Sequence, residues 1–148
     1  MDFGTSARAI IERDGYLLVE SWKNGARTFL PGGRVEPGED LATALLRELR
    51  EEIGASDFHI KQYVGTIESR WRENQEVNRS LGHFFLVSWD SGSYEKEICS
   101  PEQGRHFCWI PLTELEARNL VPPKLRTLIP NLVRYGLTTP WIELDEDE

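Results

Sequence analysis

Three glutamates, Glu48, Glu51 and Glu52, lie close together in the stretch "RELREEIG". On a helix, which turns about 100° per residue, their side chains project within an arc of roughly 100°. Like charges at these spacings and near a helix C-terminus destabilise the helix, so a bound cation would explain the cluster. Carboxylate oxygens suit a hard cation such as Mg²⁺ or Mn²⁺, whereas Zn²⁺ would call for histidine or cysteine ligands.

The alternative for these glutamates is a solvated charged face, in which Arg47 pairs with Glu51 one helical turn away. The preceding segment, "LPGGRVEPGE", favours a functional site, because its glycines allow a ligand or metal to approach the main chain closely. Taken alone, that segment could be a simple connection between a strand and a helix.

Together, the loop and helix resemble the signature of the Nudix hydrolase family, G-x5-E-x7-R-E-U-x-E-E-x-G-U, in which U is a bulky aliphatic residue. The matching positions are Gly33, Glu39, Arg47, Glu48, Leu49, Glu51, Glu52 and Gly54. The one departure is Ala55 in the last U position, which reduces packing and leaves the chemical groups unchanged. With this many specified positions, the match is far more specific than a lone glycine motif.

The resemblance implies a metal site and a catalytic set. Glu51 and Glu52 would bind Mg²⁺ or Mn²⁺, Glu48 would be a third ligand or a water-orienting base, and Gly32 would lend its carbonyl oxygen. Two residues would support these ligands by holding the loop to the helix, namely Glu39 and Arg47.

Members of the family often add one more carboxylate from a loop across the sheet. The candidate here is Glu102 in "SPEQGRHFCW", and its rivals are Glu76, Glu95 and Glu97. The fold that the resemblance implies is α/β of the α+β type, a mixed β-sheet sandwiched between helices.

The implied activity is hydrolysis of the diphosphate bond in a nucleoside diphosphate linked to another moiety X, such as a nucleoside triphosphate, a nucleotide sugar or a dinucleoside polyphosphate. Arg27, Arg34 and Arg70 are candidates for binding the phosphates, as are Lys23 and Arg72, because arginine matches phosphate geometry. Trp71 is a candidate platform for the base, with Phe85, Trp89 and Trp109 as alternatives that could equally be core residues.

The pattern along the chain predicts elements that agree with this fold. We expect strands at residues 7–12 and 16–22 joined at Asp14-Gly15, a helix over residues 40–53, two strand-like segments around the polar turn "RENQ", a strand at "RHFCWI", and a last helix from Pro123 to about Tyr135. No linker divides the chain, so residues 1–142 are expected to form one domain. The acidic residues 143–148 are expected to form a disordered tail.

Composition narrows the function classes further. The 148 residues carry a net charge of -8, which argues against binding to a nucleic-acid polymer. No signal peptide or membrane-spanning run is apparent, so a cytoplasmic location without membrane contact is expected. An exposed edge strand near the N-terminus could support a homodimer. Cys99 and Cys108 lack the spacing of a zinc site.

Two other classes of function remain open at this stage. The chain could be a catalytically weak nucleotide-binding or regulatory module on a Nudix scaffold, which the three glutamates of the helix argue against. It could also be a plain Mg²⁺ or Ca²⁺ binding protein, which the arginines and the absence of an EF-hand pattern argue against.

Overall fold

The computed structural model of the protein describes residues 3–22, 26–92, 98–99 and 105–146. The helices are α1, Leu41–Ile53, and α2, Leu125–Tyr135, and a 3₁₀ turn spans Leu112–Glu114. The strands in chain order are β1 Phe3–Ile10, β2 Glu12–Arg13, β3 Tyr16–Trp22, β4 Thr28–Phe29, β5 Gly32–Arg34, β6 Phe58–Glu73, β7 Glu76–Trp89, β8 Ile98–Cys99, β9 Arg105–Pro111 and β10 Trp141–Glu146.

The strands of the described residues form two sheets. The first is mixed, in the order β10-β6-β7-β1-β5, with β1 parallel to β7 and β10 parallel to β6. The second is antiparallel, in the order β2-β3-β9-β8, and β4 pairs with β3. Helices cover both sides of this arrangement, which confirms the predicted α+β fold.

Two turns define the hairpins that the sequence predicted. Asp14 and Gly15 both have positive φ, 53° and 85°, and connect β2 to β3. Asn74 and Gln75 likewise have φ values of 52° and 67° and connect β6 to β7. Positive φ at both central residues gives a twist that matches the flanking strands. The first predicted strand is divided at Ile11, because β1 joins one sheet and β2 joins the other.

Each helix packs on its own hydrophobic cluster. The apolar face of α1, which includes Leu45 and Leu49, packs with β1 residues such as Ala7 and Ala9 and with Phe85 of β7. The cluster beneath α2 joins residues of that helix to both sheets, and its members include Leu125, Ile129, Ile10, Ile110 and Phe84. The α1 side carries the glutamates of the signature, so this packing fixes their position.

The acidic C-terminal segment corrects a prediction. Residues 143–146 are not a frayed tail, because Trp141–Glu146 form β10, which pairs with β6 from Trp141↔Gly65 to Glu146↔Arg70. The segment is ordered by main-chain pairing with β6 and by burial of the Trp141 ring, which is 7% exposed. An acidic composition reveals neither of these contacts. The domain therefore continues past residue 142, and residues 147–148 lie outside the described ranges.

Of the two N-terminal strands, β2 lies at one end of the second sheet, whereas β1 is not an edge of the first. β1 lies between β7 and β5, and the edge strands of that sheet are β10 and β5. A homodimer therefore stays a prediction without support from β1. Within the described ranges, no helix has the length and apolar character needed to cross a membrane.

Candidate functional site

Helix α1 begins and ends where local sequence dictates. Asp40 caps its first turn, accepting a hydrogen bond from the backbone N–H of Thr43 at 2.8 Å. Gly54 ends it in the left-handed conformation with φ of 83°, where its N–H bonds the carbonyl of Arg50. With Leu45 and Leu49 buried, the neighbouring face directs Glu48 and Glu52 toward Gly33 and Gly32 of β5, whereas Glu51 contacts Arg47 on the same helix.

Arg47 joins the glycine loop to α1. Its Nε and Nη2 donate to Oε2 and Oε1 of Glu39 at 2.6 and 2.9 Å, and Nη2 also donates to the carbonyl of Arg34 at 3.1 Å. These hydrogen bonds from Arg47, together with the backbone N–H of Glu36, lower the pKa of Glu39 to about 2. The predicted supporting pair is thus a bidentate ion pair, which fixes the direction of both side chains.

Arg47 also contacts two of the three glutamates. Its Nη1 lies 3.1 Å from Oε1 of Glu48 and 3.3 Å from Oε2 of Glu51. The ion pair between Arg47 and Glu51 that a solvated charged face would contain is therefore formed. Glu51 is 51% exposed, however, so this pair contributes little to stability. Glu48 is packed against the loop, since a Cβ added to Gly33 would lie 2.5 Å from its carboxyl carbon.

Glu52 differs from the other two because its side chain is fully buried, at 0% exposure. Its Oε1 accepts a hydrogen bond from the backbone N–H of Gly32 at 3.1 Å, and its Oε2 forms an ion pair with Nη1 of Arg105. Gly32 itself has φ of 139°, and a Cβ there would lie 2.1 Å from the carbonyl oxygen of Ala7. A residue with a side chain at this position would clash with β1, so glycine is required for β5 to pair with β1 while its N–H binds Glu52.

A second buried carboxylate, Glu20, lies beside Glu52. Glu20 is 3% exposed, with Oε1 3.8 Å from Nη1 of Arg8 and Oε2 4.0 Å from Nη1 of Arg105. Burial raises the pKa of Glu52 above its usual range, the charge of Glu20 adds to the rise, and Arg105 opposes it by favouring the charged carboxylate. Arg105 and Arg8 thus neutralise a pair of acids that the fold removes from water.

The donor groups of this region fit a hard divalent cation in chemical type. Carboxylates on one helix face and a peptide carbonyl at Gly32 are oxygen donors of the kind that Mg²⁺ prefers. No three His, Cys, Asp or Glu side chains of the described residues converge as a ready-made cation site. In this arrangement Glu52 faces Arg105 and Gly32, whereas Glu48 and Glu51 face Arg47.

A cleft of about 710 Å³ lies beside these residues. Arg8 connects the two regions, because it lines the cleft while its Nη1 donates to the carbonyls of Leu30 and Gly32 at 3.0 and 3.3 Å. Four predicted substrate-binding residues line the cleft, namely Arg27, Arg70, Trp71 and Arg72. Another predicted residue, Arg34, lines a neighbouring cleft of about 400 Å³, which shares Arg8 and Trp71 with the first.

Several other predicted residues lie elsewhere or outside the described ranges. Phe85 and Trp89 are core residues, and Trp109 stacks on Trp89 with ring centroids 6.4 Å apart, so none of them lines the cleft. Glu76 is exposed at the start of β7, beyond the β6–β7 turn. Outside the described residues lie Glu102, Glu95, Glu97 and Lys23.

Sequence reasoning missed three residues of this region, Glu20, Arg105 and Arg8. A signal existed for Glu20, because an acid within the apolar run "LLVE" of a strand is costly unless a partner is buried with it. No comparable signal identifies Arg105 or Arg8, since their contacts depend on how β9 and β1 pair with distant strands.

Comparison with known proteins agrees with the signature. The NUDIX domain model matches residues 2–132. The chain is 32% identical over 118 residues to a protein named CTP pyrophosphohydrolase from Escherichia coli K12, covering 70% of this chain and 80% of that protein. It is 28% identical over 118 residues to a nucleoside triphosphatase named NudI from Salmonella agona, covering 75% and 84% respectively.

Solved structures show the same fold. The solution structure of the Escherichia coli ORF135 protein matches with a TM-score of 0.66 and 26% identity, covering 91% of this chain and 94% of that one. The crystal structure of a mutator MutT protein from Bacillus halodurans matches with a TM-score of 0.69 and 16% identity, covering 90% and 84%. At that identity the second likeness shows the fold alone.

Proposed function

Because the chain belongs to the Nudix hydrolase family, we propose that it hydrolyses the diphosphate bond of a nucleoside diphosphate linked to another group X, with Mg²⁺ or Mn²⁺ as cofactor. The observation that carries this proposal is the position of Glu48 and Glu52 against Gly33 and Gly32, with Glu51 beside them on α1 and an arginine-lined cleft nearby. Acid groups for a cation and basic groups for phosphates thus lie side by side.

The residues proposed to hold the cation are Glu48, Glu51, Glu52 and the carbonyl of Gly32. Glu102, which lies outside the described residues, is proposed as a further ligand. A divalent cation bound there would neutralise phosphate oxygens and lower the pKa of a water molecule. Glu48 is either a ligand or the base that orients this water, and Glu39 with Arg47 holds the loop and helix at a constant separation.

The cleft supports a nucleotide as the substrate. Arg27 and Arg70 supply guanidinium groups for the phosphate chain, and Trp71 supplies an aromatic ring on which a base could stack. Arg34, which follows the two glycines and lines the neighbouring cleft, is proposed to contact the leaving phosphate.

Nucleoside triphosphates are the first substrate class to test. Two relatives carry the names nucleoside triphosphatase and CTP pyrophosphohydrolase. For this class X is a phosphate group, and the proposed products are a nucleoside monophosphate and pyrophosphate. Nucleotide sugars and dinucleoside polyphosphates share the same scissile bond and are the comparison classes. A cytoplasmic location and a homodimer stay predictions.

The experiment is a hydrolysis assay on nucleoside triphosphates, dinucleoside polyphosphates, ADP-ribose and nucleotide sugars, with Mg²⁺, with Mn²⁺ and with a chelator. We expect metal-dependent cleavage of at least one class and none with the chelator. If a folded sample binds nucleotide and cleaves no class, the catalytically weak binding module replaces the enzyme. Cleavage that the chelator does not affect would contradict the metal site.

A further inference from the structure

Strand β10 lies beyond the residues that match the NUDIX domain model, yet it is built into the sheet. It pairs in parallel with β6 over the registers Trp141↔Gly65 to Glu146↔Arg70. The ring of Trp141 is buried, 6.0 Å from that of Phe84. Gly65 makes this approach possible, because its φ is 147° and a Cβ there would lie 2.3 Å from the backbone nitrogen of Trp141.

This pairing brings Asp145 to the cleft. Asp145 lies opposite Ser69 on β6, and side chains of directly paired residues project from the same face of a sheet. Trp71, two residues further along β6, projects from that face as well. Ser69, Trp71 and Asp145 all line the large cleft, so the added strand supplies part of its wall.

The carboxylate of Asp145 is a negative group in a cleft whose charged residues are mainly positive. Five arginines line the cleft, while its acidic residues are Glu73 and Asp145. A carboxylate repels a phosphate chain, so Asp145 suits the part of a nucleotide that carries hydrogen-bond donors. Glu73 is exposed at the β6–β7 turn, whereas Asp145 is half-buried and lines the cleft together with Pro122 and Pro123.

The orientation of Asp145 is fixed by the start of α2. Its Oδ2 accepts a hydrogen bond from the backbone N–H of Lys124 at 2.9 Å, and Oδ1 has no hydrogen-bond partner among the described residues. A fixed carboxylate with one oxygen to spare is a pre-oriented acceptor. A nucleobase stacked on Trp71 would present its edge, including any exocyclic amino group, to such an acceptor.

We propose that β10 is part of the substrate site, and that Asp145 selects nucleotides whose base carries an exocyclic amino group, as cytosine and adenine do, over uracil and hypoxanthine. This inference rests on the proposed function, because it assigns the base-recognising residue of the same cleft. A base with an oxo group at that position places an acceptor against the carboxylate, which leaves both groups without a donor.

The test is the substitution Asp145→Asn, which keeps an oxygen for the Lys124 N–H and replaces the other acceptor by an amide donor. We expect the wild type to have a higher kcat/KM for CTP than for UTP, and for ATP than for ITP. The variant should reduce the CTP-to-UTP and ATP-to-ITP ratios of kcat/KM at least about tenfold. The matched control is Glu143→Gln on the same strand. Glu143 contacts Nζ of Lys124 at 3.1 Å and does not line the cleft, so its variant should keep both ratios.

Dissociation constants of the four nucleotides with α,β-methylene bridges, measured with Mg²⁺, give a readout that needs no turnover. Failure of the proposed hydrolysis and failure of base selection are therefore separate results. Equal affinity of the wild type for all four analogues would overturn the proposal. A variant that weakens all four equally would also overturn it, because the carboxylate would then contact the sugar or only hold α2.

Discussion

The guanidinium of Arg47 holds the carboxylate of Glu39 through two hydrogen bonds, Nε to Oε2 at 2.6 Å and Nη2 to Oε1 at 2.9 Å. Glu39 also accepts the backbone N–H of Glu36 at 3.0 Å. One carboxylate therefore joins the glycine loop to α1, and the helix face that carries the three glutamates cannot move from the loop without breaking an ion pair.

This pair predicts a pH-dependent stability. The Arg47 hydrogen bonds lower the pKa of Glu39 from 4.5 to about 2 in the folded state, so its contribution is complete above about 4.5 and is lost as pH falls toward 2. Chemical denaturation of the wild type and Glu39→Gln should show a difference in free energy of unfolding that shrinks across this interval. A difference independent of pH would contradict the assignment.

A second prediction concerns Arg105, whose guanidinium neutralises the buried Glu52 and Glu20. Arg105→Met should lower the free energy of unfolding of the metal-free protein by about 3–5 kcal/mol, because it leaves buried carboxylates uncompensated. Added Mg²⁺ should restore part of the loss in thermal denaturation. The control is Arg134→Met, an exposed arginine over the Tyr135 ring, which should cost less than about 1 kcal/mol. Equal effects of the two variants would argue against the role of Arg105.

A third prediction compares two glycine substitutions, one that displaces the Glu48 side chain and one that only strains the backbone. A Cβ at Gly33 would lie 2.5–2.8 Å from the carboxylate atoms of Glu48, so Gly33→Ala should displace that flexible side chain. We expect kcat/KM to fall by as much as about 100-fold with little change in melting temperature. Gly38→Ala meets open space at φ of 86°, so it should cost roughly 1 kcal/mol of stability and leave kcat unchanged. The reverse pattern would show that Glu48 is not part of the reaction.

A fourth prediction concerns the arginines proposed to bind phosphate. Arg27 lines the large cleft and is exposed, so Arg27→Ala should raise KM about tenfold with kcat nearly unchanged, since it removes binding common to the ground and transition states. The increase should be smaller at high salt, which screens an exposed charge. Arg50→Ala, on the exposed surface of α1 outside both clefts, is the control. An unchanged KM in Arg27→Ala would remove this residue from the substrate site.

The sequence predicts best those features that depend on local spacing. Asp40 caps α1, Gly54 ends it, and Asp14-Gly15 forms a hairpin, because each depends on a few adjacent residues. The ion pair of Glu39 with Arg47 was also predicted, but from family resemblance, because eight residues separate the two in the chain.

Features that depend on distant pairing could not be predicted. The contact of Arg105 with Glu52 spans 53 positions, and it requires β9 to lie beside β3 in the second sheet. The acidic composition of the last residues predicts disorder. It does not reveal that β6 has an edge with which β10 can pair, or that Gly65 leaves room for Trp141 beside it.

The glutamates of α1 are proposed to support hydrolysis that releases a nucleoside monophosphate. The most direct measurement is ³¹P NMR of a nucleoside triphosphate with Mg²⁺ and either the wild type or Glu52→Gln, in which the amide oxygen still accepts the Gly32 N–H. We predict pyrophosphate and nucleoside monophosphate with the wild type, and a rate at least about 100-fold lower with the folded variant. Nucleoside diphosphate with orthophosphate, or equal rates for the two proteins, would contradict the account.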